Sequence, residues 1–175
     1  MQALIGERIQ LRPVEIEDLD VIYQWENNPQ NWHVSNFVNP VSRFFLEQYI
    51  LTSQNNIYAD HQLRLMIVDH HNKQLGIIDL FDFDPHHRRA GVGILLGPGE
   101  GKKGYATEAL KLVIDYARKN LSLKQLYCGI NPFNEDSVNL FRKQGFQITG
   151  QKKAWRLIDD SWHDEYFLQL ILKEE

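Results

Sequence analysis

Residues 90–109 read Ala-Gly-Val-Gly-Ile-Leu-Leu-Gly-Pro-Gly-Glu-Gly-Lys-Lys-Gly-Tyr-Ala-Thr-Glu-Ala, and their reading decides the fold. The apolar run 90–96 has the character of a strand. A glycine-rich, basic turn follows it and leads straight into a helical pattern. Gly101 and Gly104 let the backbone approach a ligand closely, and the first amides of a helix have no partner inside it. Strand, glycine loop and helix start together make an anion cradle, and a phosphate group is its expected occupant.

The commoner phosphate loops do not fit. A nucleoside-triphosphate loop requires Gly-x-x-x-x-Gly-Lys-Ser/Thr, whereas Tyr105 and Ala106 follow Gly104 here. A dinucleotide fingerprint opens an early βαβ unit, with an acid about 20 residues further on, and this loop lies past the middle of the chain. An acyl-CoA, whose pyrophosphate needs a similar cradle, is the ligand that remains.

Around the loop the chain reads as strands and helices. Residues 6–14 alternate apolar and polar like a half-buried strand, and Glu15, Glu17 and Asp18 supply acids for a helix start. Helical spacing runs over 17–26 and 41–53, with Pro29 and Pro40 as breakers and a loop rich in Asn, Trp and Phe between them, placed to border a cleft. Residues 61–69, 75–83 and 89–96 predict an antiparallel meander. Ala106, Ala109, Leu110, Val113, Ile114 and Ala117 give 104–119 one apolar helix face. Residues 123–130 predict a strand, and 135–143 a helix capped by Asn134 and closed by Gly145. Residues 146–157 and 162–172 predict a closing hairpin. The order β-α-α-β-β-β-α-β-α-β-β is an α+β chain with a mixed, mostly antiparallel sheet flanked by helices. At 175 residues one domain spanning 1–175 is expected.

Composition excludes several classes. No apolar run approaches the roughly 20 residues that span a bilayer, and a net charge of −4 argues against a nucleic-acid surface while suiting a cationic substrate. The N-terminus lacks the pattern of a secretion signal and Cys128 is the only cysteine, so a cytoplasmic location is expected. Cys128 lies in an apolar strand pattern and reads as packing. His86 and His87 follow Pro85 in a turn without a second ligand cluster, and no metal site is expected.

Two blocks carry a resemblance. Residues 101–106 resemble the acetyl-CoA signature of the GNAT acetyltransferases, Arg/Gln-x-x-Gly-x-Gly/Ala, with Gly104 and Ala106 matching and Gly101 standing where Arg or Gln is usual. Asn134 to Ser137 and Phe141 to Phe146 are similar to the Asn-x-x-Ser and Lys-x-Gly-Phe pattern that closes the cofactor site in that superfamily. The resemblance extends over nearly the whole chain, and the element order is the GNAT order. It is strongest to the branch holding spermidine N-acetyltransferases and ribosomal-protein N-terminal alanine acetyltransferases, through 8–13, Glu17 to Leu19 and 25–29.

The resemblance implies an acetyl-CoA site built from Ile94, Leu95, Leu96, Gly101, Lys102, Lys103, Gly104, Tyr105, Ala106, Thr107, Asn134, Ser137, Phe141 and Lys143. Lys102 or Lys103 would supply the phosphate contact that Gly101 lacks. An aliphatic amine titrates near about 10.4, so a base must remove its proton before it attacks a thioester. In the segment 79–89, rich in ionisable residues, alternation sets Asp79 with Ile77 and Phe81 on one face and Asp82 with Ile78 and Leu80 on the other. Comparison with spermidine acetyltransferases sets Asp79 beside an acid that faces the polyamine, so Asp79 is the expected catalytic acid. The structural alternative is an ion pair with Arg88 or Arg89. Trp25, Trp32, Phe37, Phe44, Phe45 and Tyr49 suit either core or a pocket for a cation. Glu26, Trp32, Asp79 and Asp82 are the expected substrate contacts.

Two departures stand out. Phe141 occupies the place of the tyrosine that protonates the leaving thiolate in many GNAT enzymes, and Gly91 the place of the branch's catalytic Glu. Either the thiolate leaves with solvent help, or Tyr105 or Tyr127 substitutes. The expected function is acetyl-CoA-dependent N-acetylation of a primary amine, with a polyamine or other small cationic amine ahead of a protein N-terminus. A non-catalytic acyl-CoA-binding sensor is the alternative from another class. The apolar closing strand, 165–172, suggests a covered edge or a homodimer.

Overall fold

Alternation at the N-terminus folds as strand β1 (Ile9–Pro13), whose Ile9 and Leu11 point inward. The computed structural model describes residues 4–32, 39–53 and 56–172. A short 3-10 turn (Ile16–Asp18) leads into α1 (Leu19–Glu26), followed by α2 (Pro29–Trp32), α3 (Arg43–Thr52) and α4 (Ile57–Asp60). Then come β2 (Leu63–Asp69), β3 (Gln74–Asp84), β4 (Arg89–Leu96), α5 (Tyr105–Lys119), β5 (Gln125–Ile130), α6 (Glu135–Lys143), β6 (Gln147–Ile158) and β7 (Ser161–Ile171). Among the described residues no helix is long and apolar enough to cross a membrane.

The strands form one seven-stranded sheet in the order β1-β2-β3-β4-β5-β7-β6. Every neighbouring pair is antiparallel except β4 and β5, which are parallel and joined through α5. Their pairing covers Arg89↔Gln125, Ala90↔Leu126 and Gly91↔Tyr127 and then stops, so from Val92 onward the two strands part and a wedge opens at the centre of the sheet. The closing strand β7 is interior, inserted between β5 and β6, and the sheet edge is β6. The apolar run 165–172 therefore belongs to a strand paired on both sides rather than to an uncovered edge.

The two sheet faces carry separate cores. On one, Ile78, Leu80, Val92, Leu126 and Leu168 pack against Ala109, Leu110, Val113 and Ala117 of α5 and Val138 and Phe141 of α6, the apolar face the helical spacing predicted. On the other, Met66, Val68 and Ile77 meet Leu19, Ile22 and Trp25 of α1 and Leu46 of α3. Across β4 and β5 this second face carries Gly91, Gly93 and Gly129 interspersed with Leu95 and Tyr127.

Three details depart from expectation. Helices α2 and α4 are four residues each, too short to show a period, and rest on local caps: Asn28 Oδ1 accepts from the Gln30 amide at 3.0 Å and Asn56 Oδ1 from the Tyr58 amide at 3.0 Å. A bulge between Phe81 and Asp84, with Asp82 at φ 47°, breaks the alternation of β3. Phe83 thus continues the inward face of Ile78 and Leu80, and Asp82 is turned out, exposed. The aromatic group is not one cluster either: Trp25 is core while Phe44 and Phe45 are exposed. Phe37 lies outside the described residues, as does the side chain of Trp32.

Candidate active site

Gly104 is the N-cap of α5 at φ 86°, a left-handed conformation that only glycine adopts without strain, and it offers no side chain to the helix end. The amides of Tyr105, Ala106 and Thr107 consequently face outward, with the positive end of the α5 dipole behind them. Gly101, Lys102, Gly104, Ala106 and Thr107 line a cavity of about 490 Å³ whose far wall is Ser137 and Lys143 of α6. Lys102 and Lys143 bring positive charge to it from opposite sides.

The loop is braced from behind. Lys73 Nζ and Lys103 Nζ reach the two oxygens of Glu100 at 2.6 and 3.0 Å and hold its carboxyl below the ordinary value. Arg8 donates to Glu108 Oε2 at 3.1 Å and to the Lys103 carbonyl at 2.8 Å, and its guanidinium lies 5.3 Å from the centre of the Tyr105 ring. Lys103 and Tyr105 therefore belong to the brace and line neither cavity, unlike the other predicted loop residues.

A second cavity, of about 400 Å³, occupies the wedge. It is lined by 92–96 of β4, 128–131 at the end of β5, and Phe133, Asn134, Ser137, Phe141 and Arg156. Ile94, Leu96 and Ser137 border both cavities, which makes them one channel from the glycine loop to the sheet centre. Along the parted length, β4 amides that face β5 have lost their sheet partners and can donate into the channel. Asn134 caps α6 by accepting from the Ser137 amide at 3.3 Å. Phe141 is buried edge-on against Phe146, with ring centres 5.0 Å apart. Cys128 packs in the core, where burial, with Glu165 adding, pushes its thiol up to about 12.

On the sheet face that carries α1 and α3, beside the wedge, sit two charged groups. Arg64 of β2 donates Nε to Asp79 Oδ1 at 2.8 Å, a terminal nitrogen to Asp79 Oδ2 at 3.0 Å, and the other to Glu26 Oε1 at 3.0 Å. Burial alone would lower the Arg64 pKa, but Asp79 and Glu26 raise it above the ordinary value. Asp79 therefore pairs with Arg64, not with Arg88 or Arg89; Arg89 reaches Asp84 and Arg88 the Ser122 carbonyl. Across the wedge, Glu165 of β7 accepts from Arg156 Nε at 2.7 Å and Lys152 Nζ at 3.2 Å. Between the two groups run Phe81, Tyr127 and Phe167, with successive ring centres 6.2 and 5.6 Å apart. Burial, with Asp82 adding, raises the Tyr127 phenol.

A parted central strand pair opens toward a glycine-capped helix, and the model of the acetyltransferase (GNAT) domain matches residues 8–147. The chain belongs to the GNAT acetyltransferases. A spermidine N(1)-acetyltransferase of Escherichia coli K12 is 30% identical over 149 residues, covering 82% of this chain and 75% of that protein. The crystal structure of spermidine N-acetyltransferase from Vibrio cholerae in complex with CoA and spermine has the same fold, with a TM-score of 0.84 at 24% identity over 95% of this chain and 96% of the other. A dodecameric structure of the Vibrio cholerae enzyme in an intermediate state gives 0.80 at 22% identity over 95% of each chain.

This GNAT chain is an N-acetyltransferase that takes its acetyl group from acetyl-CoA. Its fold brings Asn134, Ser137, Phe141 and Lys143 of the second block against the loop and the end of β4. Glu26 and Asp79, 53 positions apart in the GNAT sequence (79 − 26), meet on one arginine. Arg64, Arg156 and Glu165 are the residues that sequence reasoning missed. Their signal is register: Arg64 lies opposite Asp79 in the β2–β3 pair, and Lys152 opposite Glu165 in the β6–β7 pair.

Proposed function

We propose that this chain transfers the acetyl group of acetyl-CoA to a primary amino group of a polyamine or another small cationic amine. The observation that carries the reading is the continuity of the channel. A ligand whose phosphates rest on the α5 amides, Lys102 and Lys143 extends past Ile94, Leu96 and Ser137 and delivers its thioester into the wedge. The unpartnered β4 amides near Leu95 then receive the thioester oxygen.

The amine approaches from the face that carries Asp79. Asp79 and Glu26 are two carboxylates set on the guanidinium of Arg64, and they give the acceptor side an acidic wall suited to an ammonium. Asp79 is the more exposed of the two acids, at 20% against 7% for Glu26, and takes the amine proton, directly or through a water. Arg64 holds that carboxylate fixed at both oxygens. Tyr105, held in the loop brace, has no part in the transfer. The 30% identity to a protein called spermidine N(1)-acetyltransferase supports the polyamine over other amines.

The chain is proposed to work in the cytoplasm, and to self-associate through the outer β6–β7 hairpin, where Trp155, Leu157 and Trp162 are exposed. Sedimentation velocity of the wild-type chain and of Trp162→Glu tests the second point.

Release of free CoA from acetyl-CoA, followed with spermidine, diamines, amino acids, aminoglycosides and peptides bearing N-terminal Ala or Ser, tests the function. Turnover with polyamines that falls at least about 100-fold in Asp79→Asn is the expected result, in the range typical of a lost acid–base group. Acetyl-CoA binding without turnover of any amine would leave only a binding module.

A further inference from the structure

Gly91, Gly93 and Gly129, on the sheet face that carries Asp79, differ in what occupies the space a side chain would take. At Gly91 that space holds the Phe81 ring, and at Gly129 it holds the Glu165 carboxylate. At Gly93 it is open. Among the described residues, a Cβ there would meet only the near edge of the Phe81 ring, at 3.7 Å, an ordinary contact. Gly93 does not have a positive φ, so its backbone conformation does not call for glycine. A strand glycine with neither strain nor a crowding neighbour marks a place where a ligand can come close to the backbone.

The open space lies where the wedge meets that face. Pairing of β4 with β5 ends at Gly91↔Tyr127, and the same register continued by two residues sets Gly93 opposite Gly129. Both line the wedge, so on this face the first residues past the pairing are glycine on both strands. Asp79 lies directly opposite Gly93 in the β3–β4 pair. The next residue of β4 on the same face is Leu95, packed against the core under α1 and α3. Phe81, Leu95, Asp79 and Glu165 thus stand around one opening, with Gly93 at its floor.

We propose that Gly93 is the port by which the acceptor nitrogen reaches the thioester, and that its missing side chain sets the specificity for an unbranched primary amine. The inference rests on the acetyl-transfer reading above and deepens it. An unbranched amine brings only hydrogens and its own chain past the sheet on the reacting carbon. An α-branched amine, such as the N-terminus of a peptide that begins with Ala, brings a further group at least as large as a methyl. The chemistry is that of the transfer already described: the nitrogen forms the C–N bond and gives its proton to Asp79. Sulfur leaves with the electron pair of the C–S bond and is protonated from water. Gly93 acts on this step by size alone.

Gly93→Ala tests the port, because it adds a methyl where the fold has room for one. Its thermal melting should match wild type and its calorimetric Kd for CoA should stay within about twofold, while kcat/KM for spermidine falls at least about tenfold, the effect of one carbon in a fitted site. The second readout is a diamine that carries one unbranched and one α-methyl-branched primary amine, with the acetylated nitrogen identified by fragmentation mass spectrometry. The wild-type chain should favour the unbranched nitrogen at least about tenfold more than the uncatalysed reaction with acetyl-CoA does. In Gly93→Ala that preference should rise further, whereas general damage to the site would slow both nitrogens alike.

Unchanged spermidine kinetics in Gly93→Ala overturn the proposal. So does a wild-type chain that divides acetyl between the two nitrogens as the uncatalysed reaction does, a result that needs no variant and decides the matter if Gly93→Ala fails to fold. Either result with spermidine still turned over removes the port and leaves the acetyl-transfer reading standing. A wild-type chain that acetylates no amine removes that reading and the port with it.

Discussion

Arg64 holds Asp79 at two points, Nε to Oδ1 at 2.8 Å and a terminal nitrogen to Oδ2 at 3.0 Å, and reaches Glu26 with its remaining nitrogen at 3.0 Å. One buried cation thus organises both acids of the acceptor side. Arg64→Leu leaves two largely buried carboxylates facing each other, and should cost about 3 kcal/mol in urea unfolding at neutral pH. The same variant should lose amine turnover far more than acetyl-CoA affinity, because the cofactor channel does not include Arg64.

Asp18 sets the acid limit of stability in the N-terminal region. Burial raises its pKa, but the paired contacts from Arg12 at 2.7 and 2.9 Å, the Glu15 amide and the Gln74 amide outweigh burial and leave it below the ordinary 3.8. A depressed folded pKa means that its stabilisation is complete above 3.8 and is lost as pH falls through the lower folded value. Asp18→Asn should be clearly less stable than wild type at pH 7, and the gap should narrow below pH 3.8 in paired denaturant titrations.

Gly91 stands where the resemblance would place a catalytic Glu, but the sheet does not accept a side chain there, since a Cβ would overlap the Phe81 ring. Gly91→Glu should be destabilised by about 1–3 kcal/mol, as overpacked sites are, and should gain no activity. Thermal melting and CoA release read both halves of this outcome.

Gly104→Ala forces an alanine to φ 86° at the head of the cradle, and its Cβ would sit 2.8 Å from an Arg8 terminal nitrogen. A left-handed L-residue costs roughly 1–2 kcal/mol. Calorimetric titration with CoA should show a Kd about tenfold weaker, the equivalent of about 1.4 kcal/mol.

Much of the fold was legible because its signals are local. The glycine loop, the α5 face and the span of α6 come from spacing alone, and α6 runs over the predicted 135–143. The bulge at Asp82 was not legible, since nothing in Asp-Phe-Asp announces that the strand slips there. Nor was the interior place of β7, which follows from its insertion between β5 and β6, a choice of non-local pairing. The site divides in the same way. Residues contiguous with a motif, such as Lys102, Thr107 and Ser137, line the channel, whereas Arg156 comes to its wall and Arg64 to the acceptor-side acids across strands whose register the sequence does not display.

The measurement that bears most directly on the central claim is kcat/KM for spermidine against an N-terminal Ala peptide of the same net charge, with acetyl-CoA saturating and the product identified by mass. A singly acetylated spermidine, formed with a kcat/KM at least about tenfold above that of the peptide, is the predicted result; tenfold is about 1.4 kcal/mol in transition-state binding. Preference for the peptide, or acetyl-CoA that binds without being turned over by either amine, would contradict it.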